Sequence, residues 1–256
     1  MTMNKSFPVV LALTGAIIAT GCGRSTDDQS IASQTPSGSS TAPPADVVNQ
    51  RDQALVRVVH AVPGAAAIDV LADNAQVAAA VPYGSVTPYK EVKADADNFA
   101  IRASGQDSSA PLAENSEAIT SGNHYTLIAF PGKGDERATL QVVSDNLALP
   151  SEGKARVRVI QAAADVDMVD VKTRNADEAL FDDVDFKETT SYAEVSPSEA
   201  SLEVRSADGK RLLAKPVMQL EAGKSYTVVV AGRATGSPKI NAMVIEDHIA
   251  PRTATN

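Results

Sequence analysis

From residue 54 onward the chain alternates apolar and polar residues. Val56 and Val58 flank Arg57, and Ile68 and Val70 flank Asp69. A period of two is the pattern of a strand with one face buried. Turn-forming pairs break the runs at Pro63-Gly64, Asp73-Asn74, Ser104-Gly105, Pro131-Gly132, Asp208-Gly209 and Ala222-Gly223. No stretch has a persuasive helical period; Ala75 to Ala80 amounts to a short turn. Short strands at this spacing predict β-sandwiches.

The pattern occurs twice. Leu55-Val56-Arg57-Val58-Val59-His60 returns as Arg156-Val157-Arg158-Val159-Ile160-Gln161, and Ile68-Asp69-Val70 as Val169-Asp170-Val171. Tyr89-Lys90-Glu91-Val92 returns as Tyr192-Ala193-Glu194-Val195. Gly122-Asn123-His124-Tyr125-Thr126-Leu127 returns as Gly223-Lys224-Ser225-Tyr226-Thr227-Val228. The matches keep their order at a separation of about 101 to 103 residues. This predicts a tandem duplication, with copies at 54–150 and 154–250 joined near Pro150-Ser151-Glu152-Gly153. The expected fold class is all-β: two tandem immunoglobulin-like or fibronectin-like antiparallel β-sandwich domains. Tyr125 and Tyr226 open a late strand of each copy. They are expected to be structural, each turning its hydroxyl back onto upstream backbone.

Ahead of the first copy the pattern changes. Residues 22–53 are rich in Ser, Thr, Pro and Gly and poor in large apolar groups, the composition of a disordered tether. Residues 1–21 hold Lys5, an apolar run from Phe7 through Ile18, and small residues before Cys22. That is the make-up of an export leader, too short to span a bilayer. Ala19-Thr20-Gly21-Cys22 resembles the lipobox of bacterial lipoproteins. The resemblance implies cleavage before Cys22 and lipidation of its thiol, hence a membrane anchor. Gly23 after the cysteine favours the outer membrane where the cell has one.

The repeated residues also resemble a bacterial family called domain of unknown function 4397. The resemblance rests on Val-Arg-Val-Val-His-Ala at the start, the apolar-Asp-Val strand and the Ala-Gly-x-x-Tyr-Thr-Val-Val ending of the second copy. It implies small sandwiches of exported proteins and no established activity.

Charge and candidate chemistry narrow the function. The formal net charge of −9 argues against nucleic acid as a partner. Cys22 is the sole cysteine, so no disulfide is available. The histidines His60, His124 and His248 lack the spacing of a zinc site, and no Gly-x-Ser-x-Gly elbow occurs. The acidic stretches offer Asp165, Asp167, Asp182, Asp183 and Asp185 as calcium candidates. Glycan platforms need exposed aromatics; Trp is absent, and four of the five tyrosines sit at repeated positions, leaving Tyr83. Arg57 with Asp69, and Arg158 with Asp170, read as exposed cross-strand ion pairs. The expectation is therefore a lipid-anchored, non-catalytic structural or protein-interaction module of the cell envelope, with no cofactor. Its partners are the membrane, through Cys22, and an envelope protein. The alternative is an extracytoplasmic binding module for a small ligand, Ca2+ or a glycan.

Overall fold

A computed structural model describes residues 53–106, 110–174 and 178–248, which all fall in the unit Pro43–Asn256. The leader, Cys22 and the tether before Gln53 lie outside the described residues.

Among the described residues, seventeen strands form four sheets. The first copy supplies β1 (Gln53–His60), β2 (Ile68–Ala72), β3 (Ala75–Val81), β4 (Lys90–Lys93), β5 (Phe99–Ala103), β6 (Ala113–Asn115), β7 (His124–Phe130) and β8 (Thr139–Ser144). The second supplies β9 (Ala155–Gln161), β10 (Met168–Thr173), β11 (Phe181–Asp185), β12 (Ala193–Val195), β13 (Ser198–Ser206), β14 (Leu212–Ala214), β15 (Val217–Leu220), β16 (Ser225–Ala231) and β17 (Asn241–Asp247). The outer sheets are β3-β2-β5-β6 and β11-β10-β13-β14, with β15 also pairing β13. The inner sheets are β4-β1-β7-β8 and β12-β9-β16-β17. Ala75 to Ala80, read as a short turn, belongs to strand β3.

The pairing is antiparallel except at the centre of each inner sheet. There β1 runs parallel to β7, and β9 to β16. Alternation assigns a residue to a face but does not fix the direction of the neighbouring strand, so the sequence could not reveal this. Both faces of these central strands are covered: β7, β9 and β16 are buried throughout, and β1 from Ala54 to His60.

Three cores explain that burial. Val56, Val58 and Leu127 face Ile68, Val70 and Ile101 inside the first sandwich. Val157, Val159 and Val228 face Val169, Val171 and Val204 inside the second. The opposite phase of the same strands builds a third core from Val59, Ile128, Phe130, Ile160, Val229 and Ile245. Fully burying each such side chain contributes about 1.5–3 kcal/mol. The inner sheets thus pack on one another, and the duplicated sandwiches form four stacked layers. Nothing in a period of two distinguishes a face open to water from a face covered by another sheet.

Candidate functional site

The polar residues of the central strands meet in the seam between the two sandwiches. The parallel register sets Arg57 opposite Thr126, and Arg158 opposite Thr227. Arg57 Nε accordingly donates to Thr126 Oγ1 at 2.8 Å, and Arg158 Nε to Thr227 Oγ1 at 2.9 Å. Each threonine hydroxyl donates onward to an aspartate at the end of its own copy, Asp145 just past β8 and Asp247 the final residue of β17. Thr126 Oγ1 lies 2.7 Å from Asp145 Oδ2, and Thr227 Oγ1 lies 2.7 Å from Asp247 Oδ2. Tyr89 donates to Asp145 at 2.7 Å, and Tyr192 to Asp247 at 2.9 Å.

The arginines then cross over. Arg57 Nη2 reaches Asp247 Oδ1 of the second copy at 2.6 Å, and Arg158 Nη2 binds Asp145 Oδ1 of the first. Both arginine side chains are 3% exposed and both aspartates 0%. Each guanidinium also sits over a tyrosine ring, Arg57 over Tyr89 at 5.0 Å and Arg158 over Tyr192 at 4.9 Å. The result is a reciprocal clasp, two copies of one four-residue set exchanging their charged partners.

Its electrostatics are internally matched. Burial opposes the charge on Arg57, but Asp145, Tyr89 and Asp247 outweigh it and raise its pKa. Burial pushes the Tyr89 hydroxyl up, and Asp145 adds to the shift. Burial likewise raises Tyr192, against the pull of Arg158. Both phenols stay protonated donors. Such a site holds charge out of water, where removing one partner costs far more than the intact pair contributes.

The exposed Arg57–Asp69 and Arg158–Asp170 pairs expected from alternation do not form. β1 and β2 belong to different sheets, and the arginines point into the seam. The two aspartates do something else. Asp69 Oδ1 accepts the Ala80 N–H at 2.7 Å, and Asp170 Oδ1 accepts the Asp183 N–H at 3.0 Å. Ala80 and Asp183 have positive φ, 49° and 50° respectively. The strand register slips beside each aspartate. The repeated apolar-Asp-Val motif therefore pins a β-bulge in the neighbouring strand.

Tyr125 and Tyr226 occupy matching corners. The Tyr125 hydroxyl accepts the Thr120 N–H at 3.0 Å, and that of Tyr226 the Glu221 N–H at 3.2 Å.

The calcium candidates scatter. Asp182 and Asp183 come together with Asp170, their ligand oxygens within 4.8 Å of one another. Asp165 instead accepts the Ala234 and Thr235 N–H groups. Asp167 pairs with Lys133 at 2.7 Å, a hydrogen bond that lowers the carboxyl's pKa. Asp185 lies outside that oxygen cluster among the described residues. His60 is fully buried, His124 meets the Tyr89 ring edge-on at 5.1 Å, and His248 is exposed.

Asp145 and Asp247 escape a reading of strand periodicity because they sit at the edge of the last strand, one just past β8 and the other ending β17. Their signal was duplication. Arg, Thr, Tyr and Asp recur in both copies at nearly one separation, where drift would have scattered unconstrained polar residues.

The family described as domain of unknown function (DUF4397) matches residues 54–172 and 173–256. The border of those matches falls inside β10, whereas the sandwiches part between β8 and β9. β9 and β10 both pack in the second sandwich core, so the structural border marks the physical units. Among solved structures the chain is similar to the C-terminal domain of AlgF from P. aeruginosa, at 15% identity and a TM-score of 0.28. That likeness covers 38% of this chain and 100% of the other. No curated protein matches the chain. With two adjacent matches spanning both sandwiches, the chain belongs to the DUF4397 family.

Proposed function

We propose that the protein is a non-catalytic structural or protein-interaction module of the cell envelope, anchored by lipid on Cys22. The observation that carries the non-catalytic part is the fate of the Arg-Asp-Tyr-Thr set. These are the residue types that active sites use, and here each is committed to joining the two sandwiches. The lipobox-like Ala19-Thr20-Gly21-Cys22 and the tether behind it support the anchor. An envelope partner then meets a two-sandwich unit held off the membrane.

Crosslinking in intact cells followed by mass spectrometry tests the interaction role, and palmitate labelling tests the anchor. Recovery of one discrete envelope protein, with label lost in Cys22→Ser, is the expected result. Unlabelled mature protein would overturn the anchor, and recovery of a bound sugar or metal without a protein partner would overturn the interaction role.

The oxygen cluster of Asp170, Asp182 and Asp183 favours a second reading, a Ca2+-binding module. A calcium-dependent rise in melting temperature that Asp182→Asn abolishes would support it.

A further inference from the structure

The first sandwich opens at one end into a cavity of about 420 Å³, a size suited to a small organic ligand. Its floor is formed by His60, Ile68 and Ile101, each no more than 1% exposed. The His60 ring has no polar atom to spare. Nε2 lies 3.1 Å from the Ala66 carbonyl, and Nδ1 accepts the Val62 N–H at 3.3 Å. A polar group pushed to this floor would lose water and gain no partner, a cost that apolar carbon does not carry.

The second copy shows what a filled version looks like. Ala65 and Val166 hold the same turn position, each donating its N–H to the residue three back. Ala138 and Ile240 both precede the last strand, at matched register. Val166 and Ile240 belong to the second sandwich core, 6% and 8% exposed. Their counterparts Ala65 and Ala138 line the first copy's cavity. Two alanines thus stand where the sister domain packs two larger side chains.

The mouth supplies the polar end. Arg137 lines it, exposed, with no hydrogen bond or ion pair among the described residues. No carboxylate lines the cavity among the described residues, in a chain of net charge −9. An unengaged cation above an apolar well complements an anionic head on an aliphatic tail.

We propose that this cavity binds an aliphatic chain bearing an anionic head, with the chain on Ile68 and Ile101 and the head at Arg137. A free fatty acid and an anionic phospholipid share that chemistry. Titration calorimetry of the full chain with decanoate, decanol and phosphatidylglycerol vesicles tests it. Saturable binding of decanoate at one site is expected, weakened at least tenfold by the double variant Ala65→Val/Ala138→Ile. That variant copies the second sandwich, and an unchanged or raised melting temperature verifies that it folds. Arg137→Ala should weaken decanoate about tenfold and leave decanol unaffected. Vesicle binding that the filled variant abolishes, without decanoate binding, supports the same site with a membrane lipid as occupant. No binding of either ligand, or binding indifferent to the filled variant, overturns the proposal. Equal decanoate affinity in Arg137→Ala overturns the head-group assignment.

Discussion

Arg57 Nη2 and Asp247 Oδ1 lie 2.6 Å apart although 190 residues separate them, and both are shut away from water in the seam. Removing Arg57 takes from Asp247 the cation it pairs with, and removing Asp247 leaves Arg57 only the more distant Asp145, at 3.8 Å, as an ion partner. Arg57→Ala or Asp247→Ala should therefore cost about 3–5 kcal/mol in denaturant unfolding. Because the two act as a pair, the double variant should cost clearly less than the sum of the singles. Additive single effects would deny the coupling.

Asp69 answers to acid in a direction that can be worked out. The Ala80 N–H holds its carboxyl below the usual range against the opposing pull of burial, with Ser104 and Gly105 assisting. The stability it contributes is complete above the unfolded carboxyl pKa, about 4. It is lost as pH falls through the lowered folded value. Asp69→Asn should cost about 1–3 kcal/mol at pH 7. Unfolding curves of the two proteins should converge once pH has fallen below the lowered folded value; a gap that persists in strong acid would mean the charge is irrelevant.

The bulge residues carry backbone strain. Ala80 at φ 49° and Asp183 at φ 50° occupy the left-handed region without being glycine. Such positions cost of order 1–3 kcal/mol, while glycine gives back about 0.4–1 kcal/mol through the unfolded chain. Ala80→Gly and Asp183→Gly should each raise the melting temperature by a few degrees, measured by circular dichroism. A fall for both would place the strain elsewhere.

The fold was largely legible in the sequence, and the clasp was not. Val56 and Val58 alternate with Arg57 as in any half-buried strand, so sandwiches followed from the pattern. The outward phase looked like a water-facing surface because an arginine is usually solvated there. In this chain that phase also carries Val59 and Ile128, and a second sheet covers it. Tyr125 and Tyr226 stood out because their surroundings recur as a block. Asp145 lay past the end of β8 and Asp247 at the last position of β17, where alternation stops. The open well beneath Arg137 depends on Ala65 and Ala138 being small, which only the packed second copy makes meaningful.

Burial lowers the pKa of His60, against the hydrogen bond to the Ala66 carbonyl. Its folded pKa thus lies below the unfolded value of about 6.5. The native state is fully supported above that value and loses support as pH falls through it toward the folded pKa. His60→Gln, which installs the second copy's residue, should flatten the stability profile between about pH 8 and pH 5. Identical slopes in urea titrations of the two proteins would contradict the assignment.

The most direct test concerns the seam itself. A protease site placed in the connection at Ser151 to Gly153, followed by cleavage and gel filtration at neutral pH, asks whether the sandwiches need their covalent link. The clasp and the apolar core around Val59, Ile128 and Ile160 predict that the cut halves travel as one particle. Two separate half-sized species would contradict a four-layered unit held together by Arg57, Asp145, Arg158 and Asp247.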